Sequence, residues 1–155
     1  MQQSFNVESI ATVSCSRRDA VDDGWDAETS IIRLDRSVLG ASAALGLDDF
    51  SHIEVIYIFD QVRSEKIVTD ARHPRGNREW PKVGILAQRG KNRPNRIGAT
   101  ICRLLSVDGD DIAVAGLDAI DGTPVLDIKP VMAGFLPRAA LREPEWASAI
   151  MQAYW

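Results

Sequence analysis

At 155 residues, with 45% apolar and 26% charged residues, the sequence is long enough to bury one domain-sized core. The polar stretch before residue 10, the lack of any apolar run near ~20 residues and the presence of only two cysteines, with no C-x-x-C, argue against a secretory leader, a membrane-spanning helix and a disulfide framework. A cytoplasmic protein with reduced thiols is the expectation, Cys102 being better suited to a small core position than to a nucleophile.

Strand patterns dominate along the chain. Residues 7–13 form a short extended candidate and residues 30–34 another. Residues 38–45 have the pattern of a short helix, weakened by Gly40. Residues 52–59, rich in β-branched and aromatic side chains, are the strongest strand, and residues 61–70 read as a solvated loop. Residues 83–87 and 99–107 flank a Gly/Pro/Asn-rich loop. Residues 112–117 follow the turn Asp108-Gly109-Asp110, and residues 125–128 follow Asp121-Gly122-Thr123-Pro124. The tail predicts a helix with Pro144 at its first position and acids at its positive end. Trp146, Ile150 and Tyr154 would form a stripe that packs on the body or on a second subunit. Many short strands at close spacing predict a mainly β domain, a small barrel with few short helices and a C-terminal helix, occupying residues 1–155 as a single unit.

Charge is sorted along this chain. Residues 71–107 hold nine Lys/Arg and one acid, a +8 block inside a −12 body. Sorting by sign costs self-repulsion, so a polyanionic or phosphorylated partner is one reading; neutralisation by distant acids in three dimensions is the other.

Familiar catalytic motifs are missing. There is no G-x-G-x-x-G and no G-x-S-x-G. The run from Gly84 to Gly90-Lys91 misses a P-loop by one spacer residue and by Asn92, where a Ser/Thr would bind magnesium. His52 and His73 make no familiar zinc spacing with Cys15 and Cys102, so no metal is expected.

Two loops carry candidate chemistry. The first holds Arg89, Lys91, Arg93 and Arg96, together with Gly90, Pro94 and Asn95. Guanidinium forks on a stiff loop suit phosphate or carboxylate; an exposed hairpin with snorkelling cations has the same composition. The second loop sets Asp118, Asp121 and Asp127 among apolar residues near Gly122-Thr123-Pro124. Carboxylates in such a setting need partners. For Asp121 a bond to its own turn is slightly the better reading, whereas for Asp118 structural and ligand-binding roles balance.

The stretches Phe50-Ser51-His52-Ile53, His73-Pro74-Arg75-Gly76, Val83-Gly84-Ile85, Arg93-Pro94-Asn95, Ile97-Gly98 and the ten residues from Asp121 to Pro130 resemble the TrmO/YaeB-like family. That resemblance, running from about residue 7 to residue 130, implies an S-adenosylmethionine-dependent methyltransferase on a small β-barrel. It implies methylation of N6 of N6-threonylcarbamoyladenosine at position 37 of tRNA, and a homodimer with the cofactor near the subunit interface. Carried over position by position, it implies cofactor contacts at Cys15, Ser16, Arg17, Ser51, His52, Arg89, Gly116, Leu117, Asp118, Asp121, Gly122 and Thr123. It implies RNA or acceptor contacts at Arg75, Lys91, Arg93, Asn95 and Arg96. No general base is assigned. The chain departs from the family pattern at Cys15-Ser16, where Ser-Pro is common, and at Gly90, Lys91 and Arg96, which replace Ser, Pro and a second Pro. Longer members also carry a C-terminal domain. A methyltransferase with a smaller acceptor and a non-catalytic RNA-binding barrel are the rival readings. Against the latter stands the absence of aromatics between Trp80 and Phe135, since such barrels stack bases on exposed rings.

Overall fold

The computed structural model describes residues 1–155. Its strands are β1 (Ala11–Ser14), β2 (Thr29–Leu34), β3 (His52–Ile58), β4 (Ala71–Arg72), β5 (Val83–Gly84), β6 (Ile97–Asp108), β7 (Asp111–Ala115) and β8 (Pro124–Pro130). The one α-helix, α1, spans Glu145–Ile150, and short 3-10 turns punctuate the loops. Six strands close into an antiparallel barrel in the order β1-β2-β7-β6-β3-β8, while β4 and β5 pair separately. The mainly β barrel with few short helices read from the sequence is therefore the fold.

Period-2 alternation explains which side chains fill the barrel. On β3, Ile53, Val55 and Tyr57 are buried, while His52 is exposed and Glu54, Ile56 and Ile58 are partly covered. On β6 the inward set is Gly98, Thr100 and Cys102. These meet Ile32 of β2, Ile112 and Val114 of β7, and Val125 of β8. Fully burying each such aliphatic side chain contributes roughly 1.5–3 kcal/mol. Closure leaves no edge strand, so the usual template for strand addition shrinks to the stretch of β6 that β7 does not cover.

The twelve-residue β6 is shared between two neighbours. Ile97–Arg103 pair with β3, and Arg103–Asp108 pair with β7, with a register shift between Leu104 and Ser106. The first half of β6 thus lacks β7 as a partner. A seam opens there, and the site is built on it.

The structure departs from the sequence reading in four places. The first strand begins at Ala11, not residue 7. Residues 38–45 form successive turns rather than a helix, ending at Gly46 with φ 81° and a 3-10 turn, Leu47–Asp49. Only Val83–Gly84 are strand in the 83–87 segment, because Ile85–Ala87 turn and the Gln88 amide donates to the carbonyls of Arg72 and Val83. Pro144 is the extended cap of α1 rather than its first helical residue, and the helix stops at Ile150, so Tyr154 leaves the stripe.

Gly98 shows how tight the interior is. A Cβ there would lie 2.5 Å from the Tyr57 ring. We expect Gly98→Ala to cost about 2 kcal/mol by overpacking. Urea unfolding would show this as a lower midpoint at unchanged slope.

Candidate functional site

Beyond the Arg103–Ala115 pair, β7 gives way to Gly116, whose φ of 77° turns the chain away from β6. The left-handed conformation suits glycine, and its N–H donates to the Glu28 carbonyl at 3.1 Å. The separation leaves a cleft of about 520 Å³ lined by Asp26, His52, Ile101, Cys102, Arg103, Ala115, Gly116 and Trp155. His52 and Arg103 lie side by side because the β3–β6 register pairs them, and Ala115 is next in the same row. Ser51 Oγ sits 2.8 Å from His52 Nδ1. Two of the expected cofactor groups, Ser51-His52 and Gly116, thus meet at one opening. The Cys102 thiol on its floor is buried, and burial, with a smaller effect of the Asp118 charge, pushes it up to about 12.

Leu117 is fully buried in the core, so its side chain faces away from the cleft. Asp118 follows it, and its carboxylate is the most heavily hydrogen-bonded side chain of the region. Tyr57 Oη donates to Oδ1 at 2.9 Å, Thr100 Oγ1 donates to the same oxygen, and Tyr154 Oη donates to Oδ2. Tyr57 and Thr100 are inward positions on β3 and β6, and Tyr154 comes from the segment after α1. Burial first and the Asp118 charge second raise both tyrosine hydroxyls well above their ordinary range. They remain donors at any physiological pH.

A second cluster lies at the end of β1. The Cys15 N–H donates to Asp121 Oδ1 at 3.1 Å, the Asp121 N–H to the Arg17 carbonyl at 2.8 Å, and the Gly122 N–H to the Val13 carbonyl at 2.8 Å. Thr123 Oγ1 donates to the Ile120 carbonyl at 2.7 Å and so caps its own turn. Burial raises the half-buried Cys15 thiol. Ser16 Oγ donates to Glu28 at 2.9 Å. The Arg17 guanidinium lies 3.8 Å over the Trp25 ring and donates to the Asp23 carbonyl. Asp121 thus clamps Cys15 through its carboxylate and Arg17 through its N–H, and Gly122 ties the same bend to Val13 of β1.

The basic loop enters β6 beside the same structure. Tyr57 pairs with Gly98 on one side and Val125 on the other, so the loop's exit and the end of the Gly122-Thr123-Pro124 bend flank one residue of β3. Arg89 donates to the Ala99 carbonyl, Arg93 to Gln88 at 2.8 Å and Arg96 to Val62 at 2.9 Å. These bonds fix the loop without neutralising it: none of Arg89, Lys91, Arg93 or Arg96 forms a salt bridge. Asn95 is exposed at the tip. Arg96 has φ 54°, which a proline ring cannot adopt, so its exchange for proline changes the loop's path as well as its charge. Arg75 stands apart from this loop, paired with Asp23 at 2.8 Å and close to Asp22.

Sequence reasoning missed Tyr57, Thr100, Tyr154, Arg103, Asp26 and Trp155. A signal existed for two of them: hydroxyls at inward positions of strands need a buried acceptor. Nothing local in the sequence pairs Tyr154 with a residue 36 positions earlier. No group of three His, Cys, Asp or Glu side chains is placed to hold a metal ion, and no helix is long and apolar enough to cross a membrane.

Comparison with known proteins places this geometry in context. The family model described as tRNA-methyltransferase O N-terminal domain matches residues 20–135. A Mus musculus protein named tRNA (adenine(37)-N6)-methyltransferase is 38% identical over 91 residues, covering 59% of this chain and 21% of that protein. An Archaeoglobus fulgidus protein named "Probable S-adenosyl-L-methionine-binding protein" is 41% identical over 88 residues, covering 55% of this chain and 23% of that one. The solved structure of TrmO from Pseudomonas aeruginosa aligns with a TM-score of 0.75 at 23% identity, over 94% of this chain and 63% of that chain, a likeness of fold. The aligned part of this chain spans about a fifth to a quarter of the length of the mouse and archaeal relatives. Since the family model takes in everything from β2 through β8, with the seam cleft's strands and both candidate loops, the chain belongs to the tRNA-methyltransferase O N-terminal domain family.

Proposed function

We propose that this chain is the donor-binding barrel of an S-adenosylmethionine-dependent methyltransferase. Its acceptor is N6 of N6-threonylcarbamoyladenosine at position 37 of tRNA, and it works as a cytoplasmic homodimer. The observation that carries the reading is the cleft in the β6–β7 seam, where His52 and Gly116 meet and behind which Asp118 is anchored. Its volume, about 520 Å³, falls in the range that takes a nucleoside-sized ligand. Apolar Ile101 and Ala115 beside exposed carboxylate and imidazole groups suit an adenosine carrying a charged amino-acid tail.

When bound, S-adenosylmethionine supplies an electrophilic methyl group on a cationic sulfur. The residues of the chain have three tasks. His52, the Gly116 backbone and Asp26 hold the polar edges of the ligand, while Ile101 packs against its ring. The Asp26 and Asp118 carboxylates make the region favourable for positive charge. Arg89, Lys91, Arg93, Asn95 and Arg96 bind the acceptor RNA and bring its nitrogen in line with the methyl carbon; such alignment is worth roughly 7–11 kcal/mol of the barrier. Cys15, Ser16, Arg17, Asp121, Gly122 and Thr123 hold the bend that carries Asp118, with Ser51 steadying His52. Arg75 reaches RNA only if it leaves Asp23.

Exposed Ile97, Ile101 and Leu105, each more than two-fifths accessible, form an apolar row on the outer face of β6. That row supports a homodimer closing over the cleft, because Ile101 belongs to both.

Three outcomes are expected. Incubation with methyl-labelled cofactor and bulk tRNA, followed by nucleoside digestion, should place label on the modified adenosine of position 37; label confined to a small metabolite would move the acceptor elsewhere. Calorimetric titration of S-adenosylmethionine should show affinity lowered at least about tenfold in Asp118→Ala, because the buried Tyr57 and Thr100 hydroxyls and the half-buried Tyr154 hydroxyl lose their acceptor and the bend loosens. Lys91→Ala combined with Arg93→Ala should flatten the log–log salt dependence of tRNA binding by about one to two units, whereas an unchanged slope would remove the loop from the RNA.

A further inference from the structure

Residues 136–155 lie beyond the segment that the family model matches, yet they build part of the cleft. After α1 the chain does not drift into solvent. The carbonyls of Ala153 and Tyr154 accept the N–H groups of Gly24 and Trp25 at 3.0 and 2.9 Å, so the tail adds itself to the backbone ahead of β2. Tyr154 sends its hydroxyl to Asp118 Oδ2. The next residue, Trp155, stands edge-to-face on the Tyr154 ring with centroids 4.9 Å apart at 88°. Trp155 is 46% exposed and lines the cleft together with Ile101 and Cys102 of β6.

A tryptophan that directly follows a residue anchored by a main-chain bond and a hydroxyl tether, that packs edge-on against it and is yet nearly half exposed, has a preorganised open face. Planar rings stack on such a face with little further loss of side-chain freedom. Resting on the donor-site reading above, we propose that Trp155 is a ligand-contacting residue of this cleft, stacking on the planar base of the bound nucleoside, and that Tyr154 is the positioning residue that holds it there through Asp118. Ile101, in the same lining, offers an apolar surface to the base as well. The Asp26 carboxylate, 3.2 Å from where a Gly116 Cβ would stand, is placed to accept from the base's exocyclic amine or the ribose hydroxyls. The chain therefore brings its own cleft wall from outside the family-matched segment.

The test uses the 155-residue chain and S-adenosylhomocysteine, a stable product-like probe, with calorimetry and tryptophan fluorescence as readouts. Trp155→Ala should weaken binding about tenfold or more, in line with the loss of one base-stacking ring. Trp155→Phe should keep affinity within about threefold, because a ring face remains, while the ligand-induced fluorescence change shrinks as its reporter is gone. Tyr154→Phe keeps the ring and loses the tether, so affinity should fall by about threefold to tenfold, as for one lost hydrogen bond, with the thermal midpoint recorded alongside. Wild-type affinity in Trp155→Ala would overturn the stacking role while leaving the donor-site reading in place. Wild-type affinity in Tyr154→Phe would overturn the positioning role. Failure of the unmodified protein to bind the probe would overturn both the inference and the reading beneath it.

Discussion

One carboxylate ties this molecule together. Asp118 sits at the point where the barrel wall is incomplete, and it collects hydroxyls from β3, from β6 and from the tail beyond α1. A carboxylate offers about four acceptor positions, so three are filled by the protein's own donors. Because Tyr57 and Thr100 point into the interior, leaving them without an acceptor would cost about 1–3 kcal/mol for each buried group. Asp118 thus makes inward polar side chains compatible with an apolar barrel, and in doing so it fixes the edge of the opening. Site and core depend on the same bonds.

The basic segment follows a different logic. Most of its cations are neither paired with acids nor free to wander. Arg89, Arg93 and Arg96 each give an N–H to a nearby carbonyl, which orders the side chain while leaving its charge uncompensated. Loop order of this kind lowers the entropy lost when a polyanion arrives. Arg75 shows the alternative fate: its guanidinium is satisfied by Asp23, and it contributes to holding the 22–25 segment on which the tail docks.

How much of this was legible in the sequence depended on range. The barrel strands showed through period-2 burial and through turn chemistry at Gly109 and Gly122, both of which take positive φ. Residues 38–45 misled because a local helical pattern competes with Gly40 inside the segment and Gly46 just beyond it, and Leu39 and Ala44 reach the core from successive turns instead of from a helix. Asp121 was read toward its own turn; the structure instead gives its side chain to Cys15 N–H, a contact 106 residues away that no local pattern encodes. Trp146, Ile150 and Tyr154 suggested one continuous stripe, yet α1 ends before Tyr154, whose hydroxyl finds a stronger partner than one more helical turn could provide. The family resemblance reached the loops and, in the cleft, His52 and Gly116, but not Trp155, which lies outside the shared segment.

The backbone at Arg96 has a consequence for how this loop can vary. A side chain with Cβ at φ 54° carries roughly 1–2 kcal/mol of conformational strain, offset here by its bond to Val62. Glycine would relieve the strain but delete a cation; proline, fixed at negative φ, could enter only with a rebuilt corner. Asparagine, which tolerates this conformation best among residues with a Cβ, would keep the path and give up the charge. A lineage or designer can therefore loosen the loop's grip on a polyanion here without moving the corner, through asparagine or glycine, whereas exchange for proline resets charge and trajectory in one step.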